Sequence, residues 1–179
     1  MPGFSTIGDF SAKIQIAPKT PIIQSPSQNQ NYVIQNKIRV AGVTMASQIT
    51  GLSADELQQT ITYYDGLGRA MQNVQTQANP DLQDIVTPIV YDPFGRVDKS
   101  YLPYASIGTG DGSYKVNAIT EISSFYNPVG GTDLQLLGAI PRIPTPFAKT
   151  VFEPSPLNRI MEQGFPRNMW QPASTRTSG

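Results

Sequence analysis

Chemistry in this chain has to run on carboxylates, arginines, tyrosines and hydroxyls, because its 179 residues contain no histidine and no cysteine. That removes an imidazole base, a thiolate nucleophile, a Ser-His-Asp triad and the common zinc ligand sets. Two carboxylates stand out by their surroundings: Asp65 in Tyr64-Asp65-Gly66-Leu67-Gly68-Arg69, and Asp92 in Tyr91-Asp92-Pro93-Phe94-Gly95-Arg96. As residue types they suit glycoside hydrolysis, in which two acids flank the scissile bond. Turn chemistry explains both spacings more simply. Asp at the first position of a β-turn accepts hydrogen bonds from the turn's own amides, Pro suits the second position, and Gly at the fourth lets the backbone leave the turn. The Tyr before each turn can bury its ring while its hydroxyl stays near water, and Tyr64, Arg69, Tyr91 and Arg96 are expected to clamp hairpins together. The Arg after each turn lies close to the Asp, where a paired contact holds the hairpin mouth.

Other constellations are weaker. Gly108-Thr109-Gly110-Asp111-Gly112 has the glycines of a phosphate cradle but lacks the Lys-Ser/Thr that follows in a phosphate-binding loop, so it reads as a flexible connection. Asp111, Glu121 and Asp133 do not match the alternating oxygen-ligand loop of an EF-hand. Arg69, Arg96, Arg142, Arg159 and Arg167 can form a basic patch, but Lys+Arg 13 against Asp+Glu 13 leaves no excess positive charge to attract nucleic acid or an acidic membrane. Tyr63, Tyr64, Tyr91, Tyr101, Tyr104 and Trp170 supply enough ring surface to stack on sugars; in a repeat fold most would be packing residues. No cofactor or metal is indicated.

The elements that must position these residues follow from periodicity. Residues 1–30 form an extended Pro- and Gln-rich lead, in which Ile14, Ile16, Ile22 and Ile23 can add one edge strand. In Leu52-Ser53-Ala54-Asp55-Glu56-Leu57, Ser53 and Glu56 have capping-box spacing, flanked by Leu52 and Leu57 as a hydrophobic staple. This predicts a short helix of about two turns ending near Gln59. Alternation then takes over: Ile61 and Tyr63 against Thr62 and Tyr64 run into the first turn, and 69–77 returns from it. Hairpins are expected over 60–77 and 87–104. Val116, Ile119, Ile122, Phe125 and Tyr126 recur at steps of three or four, predicting a helix over 113–126 stopped by Asn127-Pro128.

The two hexapeptides lie about 27 residues apart, a spacing typical of repeat architectures. A degenerate third copy is Phe152-Glu153-Pro154-Ser155-Pro156-Leu157-Asn158-Arg159, whose turn is stretched by two residues, within a third hairpin over 148–163. Tyr-Asp-x-x-Gly-Arg, twice, resembles the YD repeats of the Rhs family of bacterial proteins, related in repeat type to teneurins and the shell components of Tc toxins. The strings ITYYDGLGRAMQNVQTQ, DIVTPIVYDPFGRVDKSYLPYA and VFEPSPLNRIMEQG resemble the uncharacterised domain that precedes the repeat array in some of these proteins. The resemblance spans 31–171 and leaves 172–179 as a polar tail. It implies a secreted or surface-displayed protein. It also implies partners in downstream YD repeats, on the same or a separate chain. The array, the toxin segment and a visible signal peptide are missing from this sequence.

Composition agrees with that class. Gly 15 and Pro 16 favour turns over long helices, and no apolar run approaches the roughly 20 residues of a membrane helix. The expected fold is a β-rich α+β module of stacked antiparallel β-hairpins, the start of a YD-repeat β-shell, with two short helices. The expected function is structural and non-catalytic, capping such a shell. The alternative is a carbohydrate-binding module that uses exposed tyrosines, with glycans as partners.

Overall fold

A computed structural model describes residues 20–108, 110–127 and 142–172. Eight strands form an antiparallel sheet: β1 (Asn31–Ile38), β2 (Leu57–Tyr64), β3 (Ala70–Gln75), β4 (Ile85–Val90), β5 (Lys99–Tyr101), β6 (Tyr104–Ala105), β7 (Phe147–Phe152) and β8 (Ile160–Gln163). Neighbours in the sheet run β1-β2-β3-β4-β5-β7-β8, with β6 pairing β4 at the side. The molecule is therefore a meander of consecutive hairpins. Among the described residues one α-helix, α1 (Ala118–Tyr126), and short 3-10 turns at Ala46–Gly51 and Asn168–Trp170 accompany it. Among the described residues no helix is long and apolar enough to cross a membrane.

The period-two pattern of β2 decides which face is inside. Leu57, Gln59, Ile61 and Tyr63 are buried, and the residues between them are half-buried. Gln72 and Val74 on β3 and Val86 on β4 continue that face. α1 lies over it with Ala118, Ile122 and Tyr126, one residue per turn. The buried amides of β2 and β3 are satisfied: Gln59 Nε2 donates to Asn36 Oδ1 at 2.9 Å, and Gln72 exchanges two hydrogen bonds with the Lys115 backbone. Tyr63, fully buried, donates to the Gly112 carbonyl at 2.6 Å and accepts the Ser27 N–H at 3.1 Å, tying the lead to the core.

Four expectations change. Ser53 and Glu56 do meet, with the Ser53 N–H and hydroxyl both donating to Glu56 Oε2 at 3.2 and 3.1 Å. The result is a single turn, because Leu57 opens β2. Pairing of 57–64 with all of β1, from Ile38↔Leu57 to Asn31↔Tyr64, overrides the local capping signal. The helix predicted over 113–126 begins only at Ala118. Ser113 bonds back to Asp111, and Lys115 is held by Gln72, which leaves Val116 exposed. In the lead, Pro21 makes one bridge to Ser53 and Ile22 is buried, but the edge strand is β1; Ile14 and Ile16 lie outside the described residues.

The fourth change is in the glycine-rich loop, where Gly110 and Gly112 are pinned rather than free. The Gly110 N–H donates to the Leu82 carbonyl at 2.7 Å, and a Cβ on Gly110 would collide with Asp84. At Gly112 a Cβ would lie 2.6 Å from Ile61 Cδ1, and its positive φ of +76° already favours glycine.

Candidate functional site

The first two turns are nearly superimposable in their bonding. At the first, the Gly68 N–H closes on the Asp65 carbonyl at 3.0 Å, and the Leu67 and Arg69 N–H groups both donate to Asp65 Oδ1 at 2.9 Å. Arg69 Nε donates to Asp65 Oδ2 at 2.8 Å. At the second, the Gly95 N–H closes on Asp92 at 2.9 Å, Phe94 and Arg96 N–H reach Asp92 Oδ1 at 2.9 Å, and Arg96 Nε reaches Oδ2 at 2.7 Å. Gly68 and Gly95 have φ of +76° and +78°, the left-handed conformation that leaves such a turn without a Cβ penalty. Pro93 sits exposed at the second position.

Both carboxyls are held below the ordinary carboxylate range. For Asp65 the Arg69 backbone N–H leads, ahead of the opposing effect of burial and the help of the guanidinium. For Asp92 burial pushes upward, and the Arg96 N–H, its guanidinium and the Phe94 N–H together outweigh it. Each carboxylate is thus committed to its own turn.

The third turn follows the recipe loosely. Glu153 Oε1 accepts Ser155 Oγ at 2.6 Å, while its contacts with the Arg159 N–H and Nε stretch to 3.4 Å. Asn158 takes the glycine's place with φ of +51°, which Asn tolerates better than most residues.

The turns also interlock. The Arg69 guanidinium carbon lies 4.5 Å from the centre of the Tyr91 ring, and the Tyr91 hydroxyl donates to the Ala70 carbonyl at 2.9 Å. One turn later, Arg96 stands 4.5 Å over the Phe152 ring and donates from Nη1 to Asn158 Oδ1 at 2.7 Å. The arginine of one turn therefore covers the aromatic residue that opens the next. Gly95 contributes here too, since a Cβ on it would stand 3.3 Å from Arg69 Nη1. Tyr64 departs from the expected clamp: β1 lies beside it, and among the described residues no cation is stacked on its ring.

A second charged centre was not foreseen. Asp84, fully buried, accepts the N–H groups of Gln77, Asp111 and Gly112 at 3.1, 3.2 and 2.9 Å. Lys115 Nζ reaches it at 3.1 Å and Asp111 at 3.2 Å. The one sequence signal lies in β4, where the inward face at Val86 extends back two residues to an acid. Of the calcium grouping, Asp111 serves Ser113 and Lys115, Glu121 accepts the Tyr104 hydroxyl at 2.8 Å, and Asp133 lies outside the described residues. All eight tyrosines are buried or half-buried, and only Trp170 among the rings proposed for sugar stacking is exposed.

A groove of about 320 Å³ runs between the first turn and α1, past Arg69, Tyr91 and Lys115. Its charged groups are already paired within the turn and the buried cluster. The model of one protein family, described as Domain of unknown function (DUF6443), matches residues 36–179. No curated protein and no solved structure matches the chain.

Proposed function

The chain belongs to the DUF6443 family, and on that premise we propose that it is a non-catalytic structural module, the N-terminal capping part of an Rhs-type YD-repeat shell. Such a shell would be secreted or displayed at a cell surface and take part in toxin delivery or contact with other cells. The observation that carries this reading is the interlock. Two Asp-turns share one hydrogen-bond scheme, and each hands an arginine to the aromatic residue of the next hairpin. A carboxylate that accepts two amides and a guanidinium is suited to fixing a turn, and a series of such turns is suited to stacking.

The test fuses residues 1–179 in frame ahead of a YD-repeat array and compares its melting and protease resistance with the array alone. The module is expected to raise both. An array indifferent to the fusion overturns the reading. The glycan alternative relies on exposed tyrosines, and none of the eight is exposed; selective binding of the isolated chain on a glycan array would revive it.

A further inference from the structure

The arginine series has an unfilled last place. Arg69 is covered by the second hairpin and Arg96 by the third, and their side chains are 39% and 21% exposed. Arg159, the third arginine, is 70% exposed, held only by its 3.4 Å contact with Glu153, and no ring stands over it among the described residues. The strand beside it is equally open. Among the described residues β8 pairs with β7 alone, and all four of its residues are exposed, Ile160 and Met161 at 60% and 66%. Thr150 directs its N–H to the Asp98 carbonyl, away from β8, so its register partner Gln163 turns its own N–H outward.

The earlier junctions show what fits there. At β3–β4 and again at β5–β7, the second strand of one hairpin pairs antiparallel with the first strand of the next. At each, the arginine of the earlier turn lies on the aromatic residue preceding the later turn. We infer that β8 and Arg159 form a docking edge for one further hairpin of aromatic-acid-x-x-Gly-Arg type, its first strand on β8 and its aromatic ring under Arg159. The inference rests on the shell reading and names the surface through which the shell would continue. A second copy of this chain cannot repeat the junction with its own first hairpin, because β1 already occupies the outer edge of β2 along eight residues.

The probe is a cyclised, fluorescein-labelled peptide with the sequence of residues 85–101, closed because a free two-stranded hairpin is marginal in water. It is titrated into the full chain by fluorescence anisotropy, with amide exchange read at β8. Expected are saturable binding, slowed exchange at Gln163, and affinity about tenfold weaker for Arg159→Ala or for the peptide carrying Tyr91→Ala. Arg159 is exposed, so a melt equal to wild type is expected to show that the variant still folds. No binding, binding indifferent to both substitutions, or self-association of the chain in place of peptide capture overturns the inference. If the fused array is stabilised while β8 and Arg159 stay unresponsive, the docking edge is wrong and the shell reading survives.

Discussion

Asp84 and Asp92 use the same chemistry at opposite ranges. Each carboxylate accepts backbone N–H groups and a cation, but Asp92 collects all its partners within four residues whereas Asp84 collects Asp111, Gly112 and Lys115 from about thirty residues away. Asp92 therefore shapes its turn with partners that lie within the turn itself. Asp84 exists as a hub only once β4, the glycine-rich loop and the approach to α1 have met. Local carboxylates specify the repeated part of the molecule, and the distant one locks the part that occurs once.

The contrast breaks most severely at Asp84. Asp84→Ala leaves Lys115 half-buried beside open amides, and a loss of about 3–5 kcal/mol in denaturant unfolding is expected. Next is the lid over the same face: Ile122→Ala, from a fully buried position, should cost about 3 kcal/mol by the same measurement. Gly95→Val tests the turn series. A β-branched residue at φ +78°, 3.3 Å from Arg69, should cost about 2 kcal/mol and loosen β4–β5 before β2–β3 in amide exchange. Equal loosening of both hairpins would mean that the turns are not separable units.

The smallest effects come from pH and sharpen the comparison. Asp65 and Asp92 titrate lower folded than unfolded, so their stabilisation is present above the ordinary carboxylate value near 3.8 and is lost as pH falls through the folded value. Lys115 moves the other way. Burial opposes its charge, but Asp84 and Asp111 outweigh that and raise it, so its contribution is lost only as pH rises past its ordinary 10.5. Melting temperature should stay level near neutrality and fall at both extremes. Asp65→Asn with Asp92→Asn should flatten the acid limb and leave the alkaline one.

Legibility in the sequence followed the same division. The turns, the hairpins they close and the stretched third copy were readable because Asp, Gly and Arg act within one turn of each other. The Ser53–Glu56 contact was readable too, yet the helix it suggested was lost to pairing with β1, a contact no local spacing encodes. Asp84, the pinning of Gly110 and Gly112, and the ring of Tyr91 beneath Arg69 all depend on partners brought together by the sheet. The same clamp is expected of Tyr64 and Tyr91 from their place before the turn, but the neighbour of Tyr64 is β1 rather than an arginine-bearing turn.

Because strands sit in the sheet in nearly the order they occur in the chain, the meander has a direction in time as well as in space. Each hairpin can close as it leaves the ribosome, since its ladder waits for nothing further along. The exception is the face under α1: β2 to β4 would stand assembled but unlocked until Lys115 and Ile122 emerge, an interval of some thirty residues after Val90 in which the apolar side chains of Ile61, Val74 and Val86 face water. Slow synthesis through that stretch is where this molecule is exposed to aggregation.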